Sequence, residues 1–339
     1  MHQAISKQVL KAWLRDMMVS RTLRQAQGRL LIAPVAEAGM VMYRAVDKVE
    51  DIVFKFANTV LSPKEFFFPI TDTLFTLRQK DGHPELVTPT MEKDAVLFGI
   101  RPCDALGLKI IDRPFLDEPA DARYKERRER TTLVGLACSD ACPECFCTSM
   151  GTAPDDAANV DIMLTENGED YLVQAVTNKG KALLDGVALK EADTVSTSVV
   201  TPKKVPAENI GSAMLKAFDS LYWSRVADRC IHCNICSYVC PVCYCFDIRD
   251  YTSRGEVQRV RSWESCEAAG FTKLAGGADI RPNKGARMRQ RFAHKLLYMD
   301  KQFGNLVGCT GCGRCVKYCP VNIDIREIIN DVQKMAVEK

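Results

Sequence analysis

Two stretches of this chain repeat one another in cysteine. Cys230, Cys233, Cys236 and Cys240 follow the spacing C-x2-C-x2-C-x3-C with Pro241 next, and Cys309, Cys312, Cys315 and Cys319 repeat it with Pro320 next. Thiolates are soft ligands suited to iron and zinc. Three of them at i, i+3 and i+6 in a tight loop wrap one side of a tetrahedral cluster. The fourth precedes a proline, where the chain turns into a helix, and points away. Zinc sites favour two C-x2-C pairs separated by a finger-length loop, with no role for a third cysteine at i+6.

The spacing is that of two-cluster bacterial ferredoxins, in which the fourth cysteine of each run ligates the other cluster. It assigns Cys230, Cys233, Cys236 and Cys319 to one [4Fe–4S] cluster, and Cys309, Cys312, Cys315 and Cys240 to a second. Gly311 and Gly313 let the second loop's backbone N–H groups approach the sulfurs; the first loop has no glycine and carries His232 instead.

The chain has 16 cysteines, so eight remain. The hexapeptide CPECFC, Cys142 to Cys147, resembles CPVCYC, Cys240 to Cys245. Cys103 follows the strand-like AVLFGI and opens a helical stretch, while Cys138 ends the strand-like TTLVGLAC. Strand tips are where ligands bind in α/β sheets. Two neighbouring tips would bring Cys103 and Cys138 beside CPECFC and, with Cys145 and Cys147, supply four thiolates for a third [4Fe–4S] cluster. Zinc or plain packing are the competing readings, and spacing leaves Cys142 and Cys145 as alternative ligands. Cys243, Cys245 and Cys266 form a fourth metal site if water, a carboxylate such as Asp247 or a partner's cysteine completes it. Otherwise they line the ferredoxin-type clusters without ligating them.

The elements that must position these residues are readable in outline. A chain of 339 residues, 47% apolar and 26% charged, has room for two domains and an ordinary core. Residues 1–201 read as an α/β (or α+β) domain, with strands over AGMVMYRAV, AVLFGI and YLVQAV, a helix over ALGLKIIDRPF, and an N-terminal helix over Met1 to Met18. EADTVSTSVVTPKKVP reads as a linker. Residues 202–339 read as a mostly helical domain with a ferredoxin-like two-[4Fe–4S] core carrying a long insertion, 241–308. Ile210, Met214, Phe218 and Leu221 have helical spacing ahead of Cys230.

The net charge is +3, from 46 basic and 43 acidic side chains. Basic residues concentrate in Arg123 to Arg130 and in Arg281 to Lys295, where Met288, Phe292 and Leu296 make a buried stripe with the arginines expected on the opposite, solvated face. That face is also a candidate dock for an acidic partner. No exposed aromatics interleave with the basic runs, which argues against nucleic acid. No run approaches the ~18 apolar residues of a membrane span. With no signal peptide legible, the cysteines belong to a reducing, cytoplasmic setting.

The segments RPCDALGLKIIDRPFLD, CFCTSMGTAP, CPVCYCFD, RSWESC, AGGADIRP and CTGCGRCVKYCPVNIDIREII together resemble the iron–sulfur subunit family that includes the iron–sulfur component of anaerobic sulfite reductase. The β subunits of cytoplasmic sulfhydrogenases are similar. The likeness runs in order from Pro63 to Ile329, departing slightly where RSWESC replaces an expected WDSC. It implies Cys103, Cys138, Cys145 and Cys147 as third-cluster ligands, and sets Cys142 aside. It also implies a partner that binds flavin and NAD(P), together with a separate catalytic or electron-acceptor subunit. No G-x-G-x-x-G, phosphate loop or Ser/His/Asp set is legible. The expected function is thus electron transfer within an anaerobic oxidoreductase complex. The rival is a flavin-binding catalytic reductase subunit of the F420-reducing type, with GIRPCDALG in its flavin pocket.

Overall fold

The computed structural model describes residues 2–19, 29–140, 142–192, 202–304 and 306–337. Its first element is a strand: β1 (His2–Ser6) precedes the helix α1 (Lys7–Val19). The expected N-terminal helix therefore begins later than its periodicity suggests. Ala4 and Ile5 are fully buried because β1 is held antiparallel to two distant strands, a non-local pairing that overrides local propensity.

The main sheet continues with β2 (Leu30–Glu37) and β3 (Met40–Ala45) and is completed by five strands further along the chain. Between them, β4 (Thr71–Lys80) and β5 (His83–Val87) form a hairpin outside this sheet. Next come β6 (Ala95–Ile100), α2 (Pro102–Leu116), α3 (Ala122–Glu129) and β7 (Thr131–Leu136). Then β8 (Ile162–Asn167), β9 (Asp170–Ala175), α4 (Asn178–Leu183) and β10 (Lys190–Ala192) follow. The strand order is β10-β1-β9-β8-β7-β6-β2-β3. Its centre, β2–β6–β7–β8, is parallel and its flanks antiparallel. All six residues of β6 are buried, as a central parallel strand requires.

The expected linker's residues 193–201 lie outside the described residues. Beyond them lie α5 (Ile210–Lys216), α6 (Tyr222–Asp228) and α7 (Ile235–Tyr238), followed by a long hairpin of β11 (Phe246–Ser253) and β12 (Glu256–Trp263). The chain then forms α8 (Lys284–Ala293), a π-helical turn over His294–Tyr298, α9 (Met299–Phe303), α10 (Arg314–Lys317) and α11 (Ile325–Val337). The structure is thus mixed α/β. The hairpin is absent from the helical expectation for this half.

That hairpin joins the two halves of the chain. β12 pairs with β4, giving a second sheet of order β11-β12-β4-β5. Both tight turns, Asp81-Gly82 and Arg254-Gly255, place two residues at positive φ, as right-twisted two-residue hairpins demand. Where β4 meets β12, the buried Asp72 carboxylate accepts from Arg123 at 2.8 Å, Arg127 at 2.8 Å and Arg261 at 3.0 Å. Burial alone would raise this carboxyl, but hydrogen bonds from Arg127 and Arg123 outweigh it and hold the group well below the usual range. The basic run on α3 is therefore no solvated face: Arg123 and Arg127 turn onto Asp72, and Arg128 onto Asp112.

Candidate iron–sulfur centre

The two cysteine loops fold alike. His232 and Asn234 in the first occupy the places that Gly311 and Gly313 take in the second, and all four are left-handed, with φ of 54°, 61°, 64° and 76°. The short helices α7 and α10 follow at matching positions. This backbone turns N–H groups toward sulfur: His232 donates to Cys230 at 3.4 Å, and Gly311 donates to Cys309. Ile323 donates to Cys319 at 3.1 Å and Val242 to Cys240 at 3.4 Å.

One cavity is lined by Cys230, Cys233, Cys236 and Cys319, and also by Cys315 of the second run. Cys233 is the exposed member. Beside them lie Glu267, whose carboxylate oxygens have no hydrogen-bond partner among the described residues, and His232, whose Nδ1 is 2.9 Å from the Glu267 carbonyl. Burial pushes the Glu267 carboxyl up to about 7. Cys309, Cys312, Cys315 and Cys240 face one another at the second loop.

The CPECFC loop packs against this second loop. Phe146 N–H donates to the Gly311 carbonyl at 2.8 Å, the Cys145 thiol approaches the Cys312 carbonyl at 3.5 Å, and Cys103, Cys147 and Cys312 form one buried group. The parallel neighbours β6 and β7 bring Cys103 and Cys138 side by side at their tips. Cys147 faces Cys138 and Cys312, and Cys145 faces Cys103. Cys142 is hydrogen-bonded to Cys145. The structure thus gathers all five N-terminal cysteines at the second ferredoxin-type loop.

A family model described as a 4Fe-4S dicluster domain matches residues 229–323. The chain is 30% identical over 319 residues to sulfhydrogenase 2 subunit beta of Pyrococcus furiosus, spanning 89% of this chain and 91% of that protein. The chain belongs to this 4Fe–4S dicluster subunit family. No solved structure matches it.

The residues present fit the clusters of a dicluster subunit. Burial pushes the thiols of Cys236 and Cys309 up to about 11 and raises those of Cys103 and Cys138, so a bound metal is what would make them thiolates. The surroundings are already arranged for anions. Arg101, 1% exposed, spends its guanidinium on the carbonyls of Leu136, Ala137 and Phe56. Lys295 donates to the Cys240 sulfur at 3.1 Å, and Arg291 lies 3.7 Å from the Cys243 sulfur. Cys240 is held well below the usual thiol range, first by its hydrogen bond with Cys243 and then, against burial, by Lys295, Arg291 and Lys64.

These cations correct the reading of the basic helix. Met288, Phe292 and Leu296 are buried as expected, but so are Arg287, Arg291 and Lys295, each one position earlier. They face the dicluster cysteines or nearby carbonyls and are not a solvated docking face. Asp247, offered as a ligand beside Cys243 and Cys245, turns outward onto Arg249 at 2.7 Å. The segment GIRPCDALG is packed shut: Asp104 is gripped by Arg314 at 2.5 and 2.8 Å, and a Cβ on Gly107 would meet Pro241 at 2.7 Å. Lys64 and Glu267 escaped notice in the sequence. Only the neighbouring Cys266 marked Glu267, and nothing local marked Lys64.

Proposed function

We propose that the chain is the electron-transfer subunit of an oxidoreductase complex. In this reading it holds [4Fe–4S] clusters at Cys230, Cys233, Cys236 and Cys319, at Cys309, Cys312, Cys315 and Cys240, and at Cys103, Cys138, Cys145 and Cys147. It relays electrons between a partner that binds flavin and NAD(P)H and a separate catalytic or acceptor subunit.

The observation that carries the reading is contiguity. Cys312 belongs with Cys309 and Cys315 yet is grouped with Cys103 and Cys147, so the second and third sets adjoin. Arg291 spans from the Cys236 carbonyl at 2.9 Å to the Cys243 sulfur, next to Cys240, so the first and second sets adjoin as well. Bound [4Fe–4S] clusters supply one-electron transfer at potentials set by net charge, hydrogen bonding and exposure.

This chain's residues do the rest. The N–H donors at Cys230, Cys309, Cys319 and Cys240 stabilise thiolate charge, and the buried cations offset it. Exposed Cys233 and Ile231 bring one end of the line to the surface. Exposed Ser139, Asp140 and Pro143 do the same beside the third set. A relay requires two such ends, one for each partner.

The test is iron, acid-labile sulfide and flavin per chain on protein purified without oxygen. The expected result is at least about twelve irons, about four of which are lost in Cys103→Ser, with no stoichiometric flavin. About eight irons would remove the third cluster, and stoichiometric zinc without iron would sink the reading.

A further inference from the structure

Four cysteines stand outside the sets above; Cys142 is hydrogen-bonded to Cys145, and the structure brings the other three together. Cys243, Cys245 and Cys266 line one cavity with Arg291, His294 and Lys295. Cys245 and Cys266 are hydrogen-bonded to each other, and the Cys266 backbone N–H also donates to Cys245. Cys243 is hydrogen-bonded to Cys240 of the second set. Cys266 also faces Cys236 of the first set, so the cavity lies between the two ferredoxin-type loops.

Charge makes this more than a packing group of thiols. Lys64 is 1% exposed, Arg291 3% and Lys295 5%. A buried cation is costly unless an anion faces it. Among the described residues none of the three forms an ion pair with a carboxylate. Lys64 donates to the Cys243 carbonyl at 2.6 Å and lies over the Trp263 ring at 4.1 Å. Arg291 uses the Cys236 carbonyl and approaches the sulfur of Cys243, while Lys295 uses the Cys240 sulfur and the Gly308 carbonyl at 3.2 Å. The groups bearing on Lys64 are Cys243, Cys240 and Cys245, with Lys295 opposing. Glu267 bears on Arg291, but its carboxylate oxygens form no hydrogen bond with it. Oxidised, a four-thiolate [4Fe–4S] cluster at Cys240 carries a net charge of about −2, which offsets two of the three cations and leaves one for a further anionic group. Neutral thiols at Cys243, Cys245 and Cys266 would leave the deficit in place.

We propose that Cys243, Cys245 and Cys266 hold a further iron–sulfur cluster, set between the two ferredoxin-type sites and compensated by Lys64, Arg291 and Lys295. Three cysteine thiolates leave one iron to a non-cysteine donor, and His294 lines the same cavity. The inference rests on the chain being an iron–sulfur protein, and it is independent of which partners exchange electrons with it.

The test compares full-length wild type with Cys245→Ser/Cys266→Ser and with the single variant Cys266→Ala, all purified without oxygen. Iron, sulfide and zinc are counted, and the reduced proteins are examined by electron paramagnetic resonance. The expected result is a loss of about four irons and four sulfides per chain in both variants, with the interacting signal of the ferredoxin-type pair retained. Lys64→Met should keep the iron yet lower the potential of one centre, a readout that needs no cysteine change. Full iron retained in the cysteine variants overturns the inference and leaves the proposed function standing. One zinc per chain in wild type, lost on substitution, overturns it equally. Wild type without iron would instead overturn the proposed function itself.

Discussion

A Cβ placed on Gly311 would lie 2.6 Å from the Cα of Cys147. The neighbouring Gly313 is as tight, 2.7 Å from the Glu144 carbonyl carbon. Both approaches are backbone to backbone, so no side-chain motion relieves them. They explain why the second cysteine loop uses glycine where the first uses His232 and Asn234: only the second has CPECFC docked on it. Gly311→Ala should therefore displace Cys145 and Cys147 and cost about four irons per chain. His232→Ala, at the matching place, should keep full iron. Iron and sulfide assays of the two purified variants decide the point.

Lys295 sits with its ammonium 3.1 Å from the Cys240 sulfur in a fully buried setting. Removing that charge while keeping the length of the side chain makes an added electron less welcome. Lys295→Met should lower the potential of the centre that includes Cys240 and leave the Cys230 centre nearly unmoved. A redox titration followed by electron paramagnetic resonance measures both. Equal shifts in the two centres would count against the assignment of Cys240 to the second set.

Arg314 and Asp104 form a two-point ion pair in the interior, and Arg314 also donates to the Thr59 carbonyl at 2.8 Å and hydroxyl at 2.9 Å. The pair ties α10 to α2 directly behind Cys312 and Cys103. Asp104→Ala leaves an uncompensated buried guanidinium and should destabilise the chain by about 3–5 kcal/mol. The double variant Asp104→Leu/Arg314→Met should recover much of that loss. Anaerobic denaturant unfolding of the iron-loaded proteins gives both values, and a double variant as unstable as the single would contradict the prediction.

Asp72 is the hub through which α3, β4 and β12 meet. Its carboxyl lies below its unfolded-state value, so the group contributes stability at pH values above the ordinary carboxylate range of about 4. That contribution is lost as pH falls from there toward the depressed folded value. Asp72→Asn should lower stability at pH 7 by about 3–5 kcal/mol, and it should flatten the acid limb of the stability curve. Melting temperatures of both proteins from pH 7 down to about pH 2 give the comparison.

Much of the site is legible in the chain because ligand spacing is local. The repeated C-x2-C-x2-C-x3-C-P encodes a loop, a short helix and a set of thiols with no distant help, and Cys319 shares one cavity with Cys230, Cys233, Cys236 and Cys315. The strand AVLFGI and the helix after it were equally readable, since a continuous apolar run and a helical period are properties of neighbours in sequence.

The rest depends on partners far along the chain. His2–Ser6 is a strand because β9 and β10 flank it, whereas its own sequence reads into a helix. The hairpin β11–β12 is anchored by β4, which lies in the other half of the chain. Arg287, Arg291 and Lys295 read as solvated because charge normally faces water. They are buried because the fold sets carbonyls and cysteine sulfurs against that face of α8 and the turn that follows it, and Lys64 arrives there from the opposite half. Spacing thus specifies which atoms can bind metal. The charge that surrounds those atoms, and the order in which the sites adjoin, arise from long-range packing, because electrostatic compensation acts through space and leaves no period in the sequence.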